Sequence, residues 1–163
     1  MKTHSLTCES SGEESTARIA AALGPALSKG DVVLLEGDIG TGKTLFARRL
    51  IQSLQQCPED VPSPSFTLVQ VYKAQISGAM AEIWHADLYR LSDPAEVWEL
   101  GLDDAFADAI SFIEWPDRLG ADCPARRIEI ALAVPENGVG RDLTATFHGS
   151  GWGHVRAALR ATA

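Results

Sequence analysis

Residues 32–44 read Val32-Val33-Leu34-Leu35-Glu36-Gly37-Asp38-Ile39-Gly40-Thr41-Gly42-Lys43-Thr44. Val32 to Leu35 is a short, wholly apolar run, the pattern of a strand covered on both faces of a sheet. Gly37 to Gly42 is a glycine-rich turn. From Lys43 to about Gln56, Leu45, Phe46, Leu50 and Leu54 form one apolar helical face. The segment Gly37–Thr44 matches GxxxxGK[ST], the phosphate-binding loop, and the strand before it and helix after it are the context that pattern requires. Each part has a chemical reason. Glycines let successive backbone N–H groups turn inward around phosphate oxygens. The following helix aims its positive end at the same oxygens. Lys43 reaches the β- and γ-phosphates, and the Thr44 hydroxyl suits Mg²⁺. The competing reading, a glycine turn before a helix with an exposed lysine, carries less weight in that context.

Upstream, Ser10 to Leu27 predicts a helix, with Glu13 and Glu14 at its start and Ile19, Leu23 and Leu27 at every fourth position. Lys29 to Asp31 predicts a turn. Downstream, Pro58, Pro62 and Pro64 make 57–64 a loop, Phe66 to Tyr72 a strand, Gly78 a turn and Glu82 to His85 a short strand. Asp93-Pro94-Ala95-Glu96 is a helix start with cap, proline and capping-box glutamate. A second short helix covers Asp103 to Ala109, and Ile110 to Ile113 is strand-like. Arg127 to Val134 and Leu143 to Phe147 alternate as strands, and the last ten residues suggest a short helix. The expectation is an α/β fold: one P-loop domain over 1–163 with its core about 13–147. Its central sheet is mostly parallel and flanked by helices, with antiparallel strands near the C-terminus.

Composition bounds the function. The chain has 163 residues, 45% of them hydrophobic and 22% charged, which suits one globular domain without disulfides or metal. A net charge of −8 makes it a poor unaided binder of nucleic acid. Cys8, Cys57 and Cys123 are far apart with no CxxC, so reduced thiols in a cytoplasmic protein are expected. The histidines His4, His85, His148 and His154 show no zinc-binding spacing. No apolar run approaches a membrane span, and the N-terminal residues lack the apolar core of a signal peptide.

A P-loop enzyme needs an acid near the metal. Asp87 follows Glu82-Ile83-Trp84-His85-Ala86, and Glu114 follows Ile110-Ser111-Phe112-Ile113. Glu114 fits the strand-end pattern better. Alone, either reads as a solvated strand end; with the P-loop, at least one is expected to hold Mg²⁺ directly or through water. Pro62-Ser63-Pro64-Ser65-Phe66-Thr67 offers hydroxyls of the kind switch loops turn toward a γ-phosphate, and its composition equally suits an extended connector. Trp115 suits stacking on substrate or partner, against the plainer reading of a partly buried core tryptophan. Trp84 and Trp98 are read as core, His85 as a hydrogen-bonded structural residue, and Arg48 and Arg49 as solvated. Arg141, in a Gly-Arg turn, is a cation within possible reach of a nucleotide.

Four blocks in order resemble the TsaE (also YjeE) family of bacterial P-loop ATPases. They are GDIGTGKT at Gly37–Thr44, SPSFTLVQVY at Ser63–Tyr72, HADLYRL at His85–Leu91 and IEWPDRLG at Ile113–Gly120, with DPAEVWELGLDDAF between the last two. The resemblance spans about Glu13 to Phe147. It implies a single α/β domain that hydrolyses ATP with Mg²⁺. It also implies a requirement in making threonylcarbamoyl-adenosine in tRNAs that read codons beginning with adenosine. The implied partners are TsaD and TsaB, with tRNA contacted mainly through them. TsaD transfers the group, TsaC or a relative makes the threonylcarbamoyl-adenylate donor, and the TsaE step is ATP-driven.

Residue by residue, the resemblance makes Lys43, Asp87 and Glu114 the catalytic set, Lys43 holding phosphate and Asp87 acting as base or through metal-bound water. Thr44 and Glu114 hold Mg²⁺. Nucleotide contacts fall to Asp38, Ile39, Gly40, Thr41, Gly42, Lys43, Thr44 and Leu45, with Ser65, Trp115 and Arg141; Thr67 shares the switch-like loop with Ser65. Three positions depart from the family pattern: Leu45 replaces a second threonine, Ser65 stands for the threonine of SPT, and Ala86 replaces a bulky residue. Two rivals are weaker. A small-molecule kinase needs an arginine-rich lid, which is not visible here. A non-catalytic nucleotide-dependent module would not need both Asp87 and Glu114.

Overall fold

The computed structural model describes residues 3–162. Seven strands form one sheet: β1 (His4–Ser10), β2 (Val32–Glu36), β3 (Val69–Ile76), β4 (Ala79–Asp87), β5 (Ile110–Glu114), β6 (Arg127–Ala133) and β7 (Arg141–His148). The helices are α1 (Glu13–Leu23), α2 (Lys43–Leu54), α3 (Ala95–Glu99), α4 (Leu102–Asp108) and α5 (Gly153–Arg160). Strand order is β1-β7-β6-β2-β5-β4-β3. The centre is parallel, through β6–β2, β2–β5 and β5–β4. Both margins are antiparallel: β6–β7–β1 on one side and the β3–β4 hairpin on the other. The expected C-terminal antiparallel flank is therefore extended by the N-terminal strand and matched by a hairpin at the opposite edge. Among the described residues no helix is long and apolar enough to cross a membrane.

Burial explains the apolar run that opens the P-loop segment. On one face of β2, Val33 and Leu35 belong to a core shared with Ile19 and Leu23 of α1, Phe46 and Leu50 of α2, and Val155 and Leu159 of α5. On the other, Val32 and Leu34 pack with Leu88, Leu91, Val97, Leu102 and Leu119. Full burial of a side chain such as Phe46 contributes about 1.5–3 kcal/mol. A strand covered on both sides has no polar face to alternate, hence its continuous apolar reading.

Several boundaries differ from the sequence reading. Ser10 closes β1 and does not begin a helix. Its hydroxyl lies 2.6 Å from the Thr16 hydroxyl, tying the strand end to α1 across an extended Gly12. β3 starts at Val69, because 65–68 form a turn closed by Leu68 N–H donating to Pro64 O (2.7 Å), with Leu68 left-handed at φ 65°. α2 ends at Leu54, since Gln55 is extended. Trp98, read as core, is 54% exposed and donates to Asp122. Arg48, read as solvated, donates its Nε proton to Val61 O at 2.8 Å. Asp93 does cap α3, accepting from Ala95 N–H at 2.9 Å, while the Glu96 carboxylate takes the Ser92 hydroxyl.

The parallel register places the chemistry at one edge of the sheet. Leu35 pairs with Glu114, and Glu114 pairs with Asp87. The glycine loop after β2 thus leaves the sheet beside the last residues of β5 and β4, at the carboxyl edge where open α/β sheets bind ligands.

On one face of β6–β7, Arg127, Glu129 and His148 are half-buried and pair with one another. Glu129 receives Arg127 at 2.7 Å, and His148 Nε2 lies 3.0 Å away. Burial pushes the Glu129 carboxyl up, but its bonds to Arg127 and His148 outweigh this and hold it below the ordinary glutamate value. A lowered folded pKa adds stability above the unfolded value, and that stability is lost as pH falls through the folded one. We expect Glu129→Gln to lose up to about 1 kcal/mol at neutral pH, given the pair's partial exposure, and to converge on the parent in acid strong enough to protonate the parent's carboxylate. Urea unfolding at both pH values measures this.

Candidate functional site

The loop Gly37–Gly42 needs glycine for steric reasons. At Gly37 (φ 145°) an added Cβ would meet Leu132 O at 2.5 Å and Thr41 Oγ1 at 2.6 Å. The Thr41 hydroxyl donates to Asp38 O (2.9 Å), closing the turn, and Phe46 N–H donates to Gly42 O (2.9 Å), starting α2. Lys43 folds back over the loop, donating to Gly37 O (2.6 Å) and Asp38 O (2.8 Å). An ammonium has three donors, so one remains for a ligand. Burial pushes the Lys43 pKa below the ordinary lysine value, against the opposing pull of Glu114, Asp87 and Asp38. Nζ also sits 4.3 Å from the centre of the Trp115 ring, whose other neighbour is Tyr89 at 4.9 Å.

Arg141, a hundred positions further along, braces the loop from outside. Its Nε donates to Thr41 O (2.9 Å), and Nη2 lies 3.4 Å from Gly40 O. Arg141 thereby fixes the carbonyls of Thr41 and Gly40. The preceding Gly140 is left-handed (φ 72°), and a Cβ there would collide with Ser10 O.

The two acids stand in different surroundings. Glu114 is 2% exposed and bridges two groups: Oε1 accepts the Thr44 hydroxyl at 2.8 Å, and Oε2 lies 2.7 Å from Nε2 of the fully buried His85. Asp87 Oδ1 accepts from Tyr89 N–H at 3.0 Å. Burial raises the Asp87 pKa above the ordinary aspartate value. Tyr89 N–H opposes this, Glu114 adds to it, and His85 and Lys43 oppose it. The raised value is the direction a proton acceptor needs.

The oxygen donors suit Mg²⁺. That ion takes one or two protein oxygens and completes its octahedron with phosphate and water. Thr44 Oγ1 and the Glu114 carboxylate are adjacent, and Asp87 is the neighbouring strand end. Among the described residues no three His, Cys, Asp or Glu side chains are grouped so as to hold a metal ion.

Two cavities flank the loop. One, about 280 Å³, is bounded by Lys43, Thr44, Asp87, Glu114, Trp115 and the exposed Ile39. The other, about 270 Å³, lies between the loop, the start of α1 (Gly12, Glu13, Thr16) and Arg141. Gly40, Gly42 and Leu45 border both, so the two meet over the loop. Leu45, where the family pattern has threonine, contributes an apolar wall.

Lys43, Thr44, Asp87, Glu114 and Trp115 thus come together, with Arg141 behind the loop. Ser65 and Thr67 do not line either cavity: Ser65 is half-buried and Thr67 exposed in the turn before β3. Their segment meets the site through backbone, Asp87 N–H donating to Leu68 O at 2.9 Å. Sequence reasoning missed Gly12, Glu13 and Thr16 as cavity wall, Tyr89 as Trp115's neighbour, and Glu114 as the partner of His85. One signal was available: His85 and Asp87 are two apart on a strand and therefore share a face.

A glycine loop opening a helix, a buried ammonium with a spare donor and a hydroxyl–carboxylate pair are jointly useful to a polyphosphate, and the chain is of the P-loop NTPase type. Its sequence matches the family model described as "Threonylcarbamoyl adenosine biosynthesis protein TsaE" over residues 10–143, and the chain belongs to the TsaE family. It is similar to the tRNA threonylcarbamoyladenosine biosynthesis protein TsaE of Rickettsia bellii, 38% identical over 122 residues (75% of this chain and 82% of the relative). The protein of that name from Bacillus subtilis is 32% identical over 120 residues (73% and 72%). Among solved structures it resembles Bacillus subtilis YdiB, with a TM-score of 0.79 at 26% identity over 99% of this chain and 97% of that one.

Gly140 supplies a test of the brace. Gly140→Ala combines left-handed strain of about 1–2 kcal/mol with the collision at Ser10, so the melting temperature falls by several degrees. Differential scanning calorimetry checks this. A melting temperature equal to the parent's would contradict the described Gly140 backbone.

Proposed function

We propose that this protein is a Mg²⁺-dependent ATPase serving threonylcarbamoyladenosine modification of tRNA together with TsaD and TsaB. The observation that carries the reading is the 2.8 Å bond from Thr44 to Glu114. It joins the hydroxyl that opens α2 to the carboxylate that ends β5, the two protein oxygens a phosphate-bound Mg²⁺ would use. The family membership supports the pathway, and the acidic net charge of −8 supports contact with tRNA mainly through partners.

In this reading the triphosphate lies across Gly40–Thr44, with the nucleoside in the cavity beside Gly12, Glu13, Thr16 and Arg141. The spare Lys43 proton meets the β- and γ-phosphates. Mg²⁺, when bound, neutralises charge on those phosphates. Asp87, its proton affinity raised by burial, accepts a proton from the attacking water or orients it. Trp115 and Tyr89 shield the lysine side of the cleft. No arginine lines this phosphate cavity among the described residues. Charge developing on the transferring phosphoryl group therefore lacks a cation that many such enzymes employ, which supports slow turnover alone and acceleration by a partner. The cytoplasm is the compartment where this modification chemistry and the free thiols fit.

An ATPase assay with and without TsaD–TsaB tests the proposal. Phosphate release is slow alone, rises with the complex and needs no phosphoryl acceptor. Lys43→Ala weakens or uncouples Mg-ATP binding. Asp87→Ala lowers kcat by about 10²-fold or more while sparing affinity. Glu114→Ala abolishes hydrolysis and weakens Mg-ATP more than metal-free ATP. Full hydrolysis by Glu114→Ala would sink the metal assignment, and release that requires an acceptor would make the protein a kinase.

A further inference from the structure

His85 is fully buried in β4 and borders neither cavity flanking the loop. Its Nε2 lies 2.7 Å from Glu114 Oε2, and its Nδ1 has no hydrogen-bond partner. A carboxylate only accepts, so Nε2 carries the proton of that bond. The other Glu114 oxygen accepts from Thr44 at 2.8 Å. One carboxylate is therefore gripped at both ends, by a rigid strand imidazole and by the hydroxyl opening α2.

A core position is normally filled more cheaply by an apolar side chain. An imidazole in a fully buried place leaves Nδ1 desolvated and unpaired, which costs stability. Its only described return is the bond to Glu114. Metal-binding carboxylates elsewhere depend on such outer partners, whose loss weakens metal affinity without removing a ligand.

We propose that His85 is a positioning residue: it fixes the rotamer of the Glu114 carboxylate so that Oε1 stays against Thr44 and open to the Mg²⁺ of a bound nucleotide. This rests on the Mg-ATP reading above and goes further by naming the group that orients its acidic ligand. Substrate does not touch His85, so its effect falls on metal affinity and not on the nucleotide itself.

The test compares ATP affinity with and without Mg²⁺ by calorimetry in the full chain, with Mn²⁺ binding to the ATP complex followed by electron paramagnetic resonance. In His85→Leu, Mg-ATP affinity and Mn²⁺ affinity fall by about tenfold or more and metal-free ATP affinity stays within about twofold, while thermal stability falls because Glu114 Oε2 is left buried without a donor. His85→Gln, whose terminal amide reaches toward Oε2, recovers much of the metal affinity, while the shorter His85→Asn does not. A parental ratio of Mg-ATP to ATP affinity in His85→Leu overturns the proposal, as does an equal fall with and without metal. If His85→Leu does not fold, equal metal affinity in the Gln and Asn variants overturns it. A parent with no Mg²⁺-dependent component overturns the Mg-ATP reading itself, and this inference with it.

Discussion

The parallel pairing of β2 with β5 is the constraint from which the site follows. It sets Leu35 beside Glu114, so the glycine loop and the acid leave the sheet at the same level. The next pairing, β5 with β4, adds Asp87 at that height. Parallel strands require covered faces, and the apolar runs in β2 and β5 are the sequence's answer to that requirement. The hydroxyl, carboxylates and ammonium thus come within reach because of contacts made well below them in the core.

Such a site works against the stability of the fold that builds it. Lys43, Asp87, Glu114 and His85 are all buried. Each loses hydration, and only part of the loss returns through bonds to neighbours. The imidazole–carboxylate–hydroxyl chain and the lysine's two carbonyl contacts offset much of it. The unused lysine proton is where a ligand completes the balance. Ligand binding therefore stabilises the folded state by mass action.

Local patterns were legible in the sequence, and pairings were not. The P-loop, α2 and the strand ends at Asp87 and Glu114 are written in contiguous residues, and the fold class follows from their alternation. β1 was missed because the inward face of HSLTCES carries just two apolar residues, Leu6 and Cys8, beside the buried Ser10, and its other face is polar. The start of β3 was misplaced because the turn before it relies on a left-handed leucine, which no residue preference announces. Trp98 looked like core by size alone, yet its indole lies at the surface. The His85–Glu114 contact joins residues 29 apart, and only the lateral order of strands reveals it.

The brace from Arg141 to Thr41 spans a hundred positions in the chain. Its strand, β7, is also the strand that β1 pairs with. The glycine loop and the residue that fixes two of its carbonyls therefore meet only through a long-range closure of the sheet. A segment carrying every residue of the loop motif but lacking β7 has no brace at Gly40 and Thr41. The motif is local in the chain, whereas its support is not.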